Sequence, residues 1–311
     1  MPVHPPTRNT IYAEQAEIVA QEAYEGKQYL LKLHAPKTAR YALPGSFIHM
    51  QCGSELLMRR PMSIMRANAE TGTIDVLYKV HGLGTELLST RKAGEFIETL
   101  GPIGKPFKLD NYPEYPLLIG GGVGMPPMLF LAEHILKTTR NIKPFVILGS
   151  EIPFPFKLKP SKILVPGLPD EAIAAMPLLD DWGIPSRLTS LNGYPGCYQG
   201  YVTDLARIWL DKFDTTALSE VEIFSCGPTP MMEAVSRIAS EYDIPCQVSL
   251  EEYMACAVGG CAGCTVLVKT DAGPAMQRVC VDGPVFDASC VFSFSDKRSR
   301  VKVRGTNLTP T

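Results

Sequence analysis

The chain has 311 residues, of which 45% are hydrophobic, and a formal net charge of -2. This length predicts two or three domains of about 100 to 150 residues each, and the thinly spread basic residues exclude a nucleic-acid-binding footprint. No apolar stretch approaches the roughly 20 residues that span a bilayer, and residues 1–10 lack the apolar segment of a secretory signal. The sequence therefore predicts a cytoplasmic protein in a reducing environment, without a membrane or nucleic-acid partner.

Short strands separated by turn residues fill the chain up to residue 109. They are predicted at residues 11–20, 29–34, 46–52, 62–67, 73–79 and 95–100. Regular spacing of short strands favours an antiparallel β barrel. We therefore assign residues 1–109 to a barrel domain.

Two segments of this barrel carry groups that suit a flavin nucleotide. Arg60 stands beside a proline-stiffened strand start, where a guanidinium can hold a phosphate, and the Ser63 hydroxyl can reach a flavin ring. An arginine next to a strand is common on protein surfaces, so this signal is weak alone. Further along, Gly84 and Thr85 open a predicted helix whose N-terminal amides suit a pyrophosphate.

From residue 116 the pattern changes to apolar strand, glycine-rich turn and helix. The strand 116–120 leads into the loop Gly120-Gly-Gly-Val-Gly-Met-Pro-Pro127, a helix is predicted at 128–137, and a second strand at 144–149. A glycine-rich loop in this context indicates a dinucleotide turn, although the loop is not a strict G-x-G-x-x-G. Strands at 186–191, 222–225 and 246–250 alternate with helices at 202–210 and 229–242. This alternation predicts an open parallel sheet with helices on both faces.

We interpret residues 110–248 as an NAD-binding α/β domain. Its candidate cofactor contacts in the first turn are Gly120, Gly121, Gly122 and Gly124. A second turn, Cys226-Gly227-Pro228, follows a late strand at the carboxyl edge of the sheet, where ligands bind in such folds. Cys226 is the candidate catalytic residue, expected near the nicotinamide and the flavin. The five histidines are dispersed, so the difficult chemistry is assigned to cofactors.

Four cysteines near the C-terminus, Cys256, Cys261, Cys264 and Cys280, have the spacing C-x4-C-x2-C-x15-C. This spacing is typical of thiolates around a [2Fe-2S] cluster, and the glycines and alanines of the loop let backbone N–H groups approach the cluster sulfides. Structural zinc is the alternative, but its ligands usually come as two short knuckles, whereas Cys280 stands alone. The four cysteines are therefore the candidate metal ligands of a small module at residues 249–288, followed by a tail at 289–311.

These motifs, taken in order, resemble those of the ferredoxin reductase superfamily. Within it, residues 10–288 resemble the electron transfer subunits of NAD-dependent (class 1B) dihydroorotate dehydrogenases, and the most specific segments are 249–256, the cluster loop and 279–286. The resemblance implies an FAD-binding antiparallel barrel, a parallel-sheet NAD-binding domain and a C-terminal [2Fe-2S] module. It also implies the flavin contacts, which are Arg60, Pro61, Met62, Ser63, Leu77, Tyr78, Lys79, Gly84 and Thr85.

The resemblance further implies a partner and a direction of electron transfer. The partner would be a dihydroorotate dehydrogenase catalytic subunit that contains FMN, in a heterotetramer of two catalytic and two electron transfer subunits that serves pyrimidine biosynthesis. Electrons from dihydroorotate would pass through the cluster to FAD and then to NAD as a hydride. Two other interpretations stay open: an NAD(P)H-dependent reductase that feeds an oxygenase or a ferredoxin, and a non-enzymatic adaptor stapled by zinc.

The chain departs from the family pattern in three places. These are a proline-rich insertion at 152–182, the tail after residue 288, and Tyr253, where the family often has a basic residue. The insertion is predicted to be a long loop with one short helix at 169–176. Residues 189–193 offer no Arg or Lys for a 2′-phosphate, although Arg187 is close, so the sequence favours NAD over NADP.

Overall fold

An antiparallel sheet that curls on itself forms the first half of the molecule. The computed structural model describes residues 10–53, 55–108, 110, 112–139 and 141–292. Within these ranges the sheet has seven strands: β1 (Tyr12–Tyr24), β2 (Gln28–His34), β3 (Phe47–Met50), β4 (Arg60–Ser63), β5 (Arg66–Asn68), β6 (Thr73–Lys79) and β7 (Phe96–Ile103). Their order is β4-β3-β7-β1-β2-β6-β5. The two outer strands are consecutive in the chain, and Met65 between them donates to the carbonyl of Asp75 on β6 (2.8 Å), so the sheet closes towards a barrel.

Alternating side chains fill this barrel. On β6, Ile74, Val76 and Tyr78 are buried in the barrel core, while Leu77 faces outward and packs with a different cluster of apolar residues. This alternation follows from the two-residue repeat of a strand. Two short helices, α1 (Pro36–Tyr41) and α2 (Leu83–Ser89), join strands of the barrel.

A second sheet of six strands follows in the described part of the chain. Its strands are β8 (Tyr115–Gly121), β9 (Phe145–Gly149), β12 (Ser186–Thr189), β13 (Val221–Cys226), β14 (Cys246–Ser249) and β17 (Val285–Asp287), with two-residue strands β10 (Lys159–Pro160) and β11 (Ala174–Ala175) between β9 and β12. The order is β12-β9-β8-β13-β14-β17, and all pairs are parallel except β14 with β17.

Helices cover both faces of this parallel sheet. Helix α3 (Met125–Thr138), which follows a 3-10 turn at Gly122–Gly124, packs on one face. Helices α5 (Val202–Leu210) and α7 (Thr229–Glu241) pack on the other, and α4 (Pro177–Asp181) and α6 (Thr215–Leu218) are short. The predicted fold class, an antiparallel barrel followed by a doubly wound parallel sheet, is confirmed.

The predicted helix at residues 169–176 is wrong. Residues 174–175 form β11, which pairs with β10, and the helix starts at Pro177 instead. A proline disfavours helical geometry in the residue before it, and Met176 is accordingly extended (φ -77°, ψ 120°). The insertion contacts the barrel, since Gln28 Nε2 donates to the carbonyl of Pro153 (2.7 Å).

The C-terminal module is attached to the parallel sheet. It contains the hairpin β15 (Thr265–Thr270) and β16 (Gly273–Arg278), and β17 then joins β14 as an outer strand of the sheet. Helix α8 (Ala288–Phe292) ends the described residues, and the rest of the predicted tail, 293–311, lies outside them.

Among the described residues, no helix is both long enough and apolar enough to cross a membrane.

Candidate functional site

Arg60 and Gly84 meet on the surface of the barrel. A methyl group added to Gly84 would lie 2.9 Å from Nε of Arg60, so the guanidinium rests directly against glycine backbone. Nη1 of Arg60 donates to the carbonyl of Met58 (2.8 Å) and that of Arg59 (3.2 Å), which holds the side chain in place. Thr85 closes the neighbouring turn, because its hydroxyl accepts from the His81 N–H (2.7 Å). A fixed guanidinium beside side-chain-free backbone suits a pyrophosphate.

The other predicted flavin contacts are divided between the two faces of their strands. Pro61, Ser63 and Lys79 keep exposed surface, and Leu77 is buried outside the barrel core. Met62 and Tyr78 turn into the core, where Tyr78 stacks on Tyr29 (5.3 Å between ring centroids) and donates to Gln21 Oε1 (3.0 Å). The side chains of Met62 and Tyr78 therefore lie inside the barrel, and only the backbone of these two residues is available to contact a flavin.

The two turns at the carboxyl edge of the parallel sheet touch each other through backbone. A methyl group at Gly124 would lie 2.4 Å from the carbonyl oxygen of Cys226 and 2.5 Å from the Gly227 nitrogen. The same addition at Gly121 would meet Pro228 at 3.3 Å. Gly122, by contrast, has a φ of +55°, and no described atom lies within 4 Å of an added methyl group. Gly120, Gly121 and Gly124 are buried where the turns pack together, whereas Gly122 leaves open space beside the loop. A dinucleotide can lie on this open side of the loop, which we call the glycine surface.

Cys226 lies beneath this surface and is fully buried. Burial raises the pKa of its thiol well above the usual value, the charge of Glu251 raises it further, and a hydrogen bond with Ser249 opposes both effects. The group is therefore a neutral thiol at physiological pH, packed in the core beneath the edge of the sheet rather than exposed as a nucleophile.

Glu251 is a charged residue near Cys226 that the sequence reasoning missed. Its side chain is exposed, and its charge raises the pKa of the Cys226 thiol. A signal was available, because Glu251 comes two residues after β14 at the same carboxyl edge as Cys226.

Arg187 is held away from any nucleotide. It is 5% exposed, and its guanidinium donates to the carbonyls of Ser186 (2.7 Å) and Ile163 (2.9 Å). Burial lowers its pKa. These contacts tie the insertion to the sheet and leave the side chain unavailable for a 2′-phosphate.

The four cysteines of the C-terminal loop lie in two pairs. The Cys261 N–H donates to Sγ of Cys256 (3.4 Å), and the Cys264 carbonyl accepts from the Val279 N–H (2.9 Å). Burial raises the pKa of the Cys280 thiol to about 12, and the neighbouring Cys264 thiol contributes to this rise. Within the described ranges no group of three or more His, Cys, Asp or Glu side chains could hold a metal ion. The four thiols equal in number the protein ligands of a two-iron cluster, in which each iron takes two.

Backbone N–H groups stabilise negative charge at Cys256. Desolvation would raise the pKa of this thiol, but hydrogen bonds from the backbone of Val258, Cys261 and Gly260 outweigh it and lower the pKa to about 7. Ala257 and Ala262 adopt left-handed backbone (φ 56° and 54°), which curls the loop around the sulfurs. A thiolate near neutral pH is the form that binds iron.

The segment between β14 and the cysteines joins all three sites. It leaves the sheet at Ser249, which pairs with Cys226. It then passes His49 of the barrel, which lies beside the Met254 backbone and pairs with Pro61, the neighbour of Arg60. His49 is 1% exposed, and desolvation lowers its pKa, so it is neutral. The flavin region, the glycine surface and the cysteine loop therefore surround one short stretch of chain.

Comparison with known proteins agrees with this arrangement. Residues 251–292 match the family described as the iron-sulfur cluster binding domain of dihydroorotate dehydrogenase B. The dihydroorotate dehydrogenase B (NAD(+)) electron transfer subunit of Desulforamulus reducens is 32% identical over 273 residues, which are 87% of this chain and 95% of the relative. The subunit of the same name from Caldanaerobacter subterraneus subsp. tengcongensis is 33% identical over 243 residues, 78% of this chain and 84% of the relative.

A solved structure supports the fold over nearly the whole chain. The NADH-dependent reduced ferredoxin-NADP oxidoreductase, described in connection with flavin-based electron bifurcation, superposes with a TM-score of 0.71 at 26% identity. The alignment covers 89% of this chain and 90% of that one.

Proposed function

Because the chain belongs to the family of dihydroorotate dehydrogenase B (NAD(+)) electron transfer subunits, we propose that it conducts electrons from a catalytic partner subunit to NAD. It is an oxidoreductase whose cofactors are FAD, a [2Fe-2S] cluster and NAD. One observation carries this function. The flavin region around Arg60 and Gly84, the glycine surface and the cysteine loop all lie around residues 249–256. A path for electrons needs such proximity of its carriers.

Each part of the chain has a defined task in this function. Arg60 and the Gly84 backbone hold the pyrophosphate of FAD, and the two pairs of thiolates hold the cluster. Bound FAD supplies the conversion between single electrons and a hydride. The glycine surface orients NAD beside the flavin, with the neutral Cys226 thiol beneath it. We propose in addition that the flavin contacts Pro61, Ser63, Leu77 and Lys79 and that NAD contacts Pro228.

The cofactor is proposed to be NAD rather than NADP. A 2′-phosphate requires a free cation near the carboxyl edge of such a sheet. The nearby Arg187 is buried and bound to two carbonyls, which supports the proposal.

The partner is a dihydroorotate dehydrogenase catalytic subunit, as the name of the relatives implies. We propose further that this partner contains FMN and that two copies of each subunit assemble. The domain limits 1–109, 110–248 and 249–288 and the cytoplasmic location also stay proposals.

A second function has one observation in its favour. The likeness to a ferredoxin-NADP oxidoreductase, at a TM-score of 0.71, suits a reductase that exchanges electrons with a ferredoxin or an oxygenase. The zinc-stapled adaptor has no such support.

Reconstitution with a catalytic subunit distinguishes these functions. The complex should reduce NAD when dihydroorotate is added. Cys261→Ser should abolish this reaction because the cluster loses a ligand, while NADH should still reduce the FAD of the variant. Cys290→Ser, at a half-buried thiol outside the cluster loop, is the matched control and should behave as wild type. Reduction of a ferredoxin by NADH, with no response to dihydroorotate in the complex, would favour the second function.

A further inference from the structure

Glu151 lies at the carboxyl edge of the parallel sheet, beside the glycine surface. It follows β9 by two residues, and the last residue of β9, Gly149, pairs with Gly121 at the end of β8. Neighbouring strands of a sheet are about 4.8 Å apart. Glu151 and the open side of the loop at Gly122 therefore follow adjacent strands, at the edge where ligands bind in such folds.

The backbone around Glu151 is held by several hydrogen bonds. The Ser150 N–H donates to the carbonyl of Thr189 on β12 (3.2 Å), and the Ser150 hydroxyl donates to the Ile152 carbonyl (2.7 Å). Nδ2 of Asn192 donates to the carbonyl of Glu151 itself. These bonds fix the turn to the end of β12, so the position of Glu151 is defined without help from a ligand.

The side chain of Glu151, by contrast, is exposed. Its carboxylate has no ion pair and no hydrogen bond among the residues that the structure describes. The two turns that meet here, residues 150–152 and 189–193, contain no Arg or Lys. The adjacent cation, Arg187, is buried and bound to two carbonyls. Neither these turns nor Arg187 therefore neutralises the negative charge at the end of β9.

The order of the strands determines which end of NAD reaches Glu151. β9 lies on one side of β8, and β13, which ends at Cys226, lies on the other. The flavin region lies beside residues 249–256, which leave the sheet from β14, beyond β13. Because the nicotinamide must lie beside the flavin, it occupies the β13 side of the glycine surface. The adenosine of the same dinucleotide then lies on the β9 side, about two strand spacings or 10 Å away.

We propose that Glu151 makes the NAD site specific for a dinucleotide without a 2′-phosphate. Its carboxylate accepts from the 2′-hydroxyl of the adenosine ribose of NAD, and the same charge repels the 2′-phosphate of NADP. This inference rests on the proposed function, because it assigns a specificity-determining residue to the NAD site. The buried Arg187 only fails to attract a 2′-phosphate, whereas Glu151 acts against it.

Stopped-flow reduction of the bound flavin by NADH and by NADPH tests the proposal on the full-length protein with its flavin and cluster bound. Wild type should use NADH more efficiently than NADPH. Glu151→Gln should lower this preference at least about 10-fold, because the hydroxyl of NADH loses a charged acceptor and the phosphate of NADPH loses a repelling charge. The efficiency with NADPH should also rise in absolute terms. Damage to the fold would lower the efficiency with both, so this rise is specific to the lost charge.

Glu220→Gln is the matched control and should keep the wild-type preference. Glu220 is an exposed glutamate directly before β13, at the amino edge of the same sheet. The six residues of β13, about 20 Å, separate it from the carboxyl edge, which is more than the Debye length of about 8 Å at physiological ionic strength. The inference is overturned, and the proposed function is not, if wild type shows no preference for NADH, if Glu151→Gln keeps the preference, or if Glu220→Gln changes it equally. No reduction of the wild-type flavin by NADH would overturn both.

Discussion

Gly124→Ala is expected to separate the two turns on which NAD lies. The added methyl group would stand 2.4 Å from the Cys226 oxygen, 2.5 Å from its carbonyl carbon and 2.5 Å from the Gly227 nitrogen. Ordinary contacts begin near 3.5 Å, so the turns must move apart by about 1 Å. All three atoms are backbone and cannot rotate away. We therefore expect the upper part of the usual cost of overpacking, about 2 to 3 kcal/mol of unfolding free energy.

Gly122→Ala is the matched control in the same loop. No described atom lies within 4 Å of its added methyl group, and its positive φ of +55° costs about 1 kcal/mol. Urea unfolding measures both variants, and stopped-flow reduction of the bound flavin by NADH reports the NAD site. Gly124→Ala should be less stable than Gly122→Ala, and compared with wild type it should need at least about 10-fold more NADH for half-maximal rate, with normal iron content. Gly122→Ala controls for stability only, because its methyl group enters the space proposed for NAD. Equal stability of the two variants, or an NADH dependence of Gly124→Ala equal to that of wild type, would refute the reasoning.

Three further predictions follow from other contacts. Arg60→Ala should raise the dissociation constant of FAD about 10- to 100-fold, because a charge-assisted contact is lost. Arg59→Ala, which breaks the ion pair with Glu98 at the surface, is the control and should leave FAD binding unchanged. Equal flavin content in the two variants would contradict the role of Arg60 in binding FAD. Desolvation would raise the pKa of Glu133, but hydrogen bonds from Arg66 and Lys137 outweigh it, so the pKa is lowered. The contribution of Glu133 to the free energy of unfolding is therefore fully present above its unfolded pKa of about 4.5, and it is lost as the pH falls from there through the lower pKa of the folded protein. The urea midpoint of wild type should therefore fall more than that of Glu133→Gln between about pH 6 and pH 3.5, and parallel curves would exclude the pair as a source of stability. Cys226→Ala should slow flavin reduction by NADH several-fold at unchanged flavin content, and an unchanged rate would remove Cys226 from the site.

Local patterns in the sequence were sufficient to predict the two sheets. The alternation in 73–79 and the strand-loop-helix succession around Gly120 are properties of neighbouring residues, and both elements formed where expected. The spacing of the four cysteines predicts the ligand set of the cluster, and this assignment stays a prediction. The strand predicted at 62–67 instead divides into β4 and β5, since the barrel bends where Met65 bonds to Asp75.

Features that depend on distant parts of the chain could not be read in this way. The contact between the barrel and the insertion needs Gln28 and Pro153, which are 125 residues apart in sequence. The effect of Glu251 on the pKa of Cys226 depends on the pairing of β13 with β14, and the role of Arg187 as a tie to the insertion depends on the Ile163 carbonyl. Composition and periodicity contain no information about such pairs. The roles of the individual flavin and nicotinamide contacts stay predictions.

The attachment of β17 to β14 has a consequence for the kinetics of the assembled enzyme. A redox centre on a flexible linker must move between its electron donor and its acceptor. The rate of electron transfer then falls as the viscosity of the solvent rises. Here three consecutive residue pairs, Gln247 with Asp287, Val248 with Phe286 and Ser249 with Val285, hold the cysteine module to the sheet. The rate of electron transfer between the cluster and FAD should accordingly not change when glycerol or sucrose raises the viscosity. The cluster is held in one position relative to the sheet and does not move between donor and acceptor.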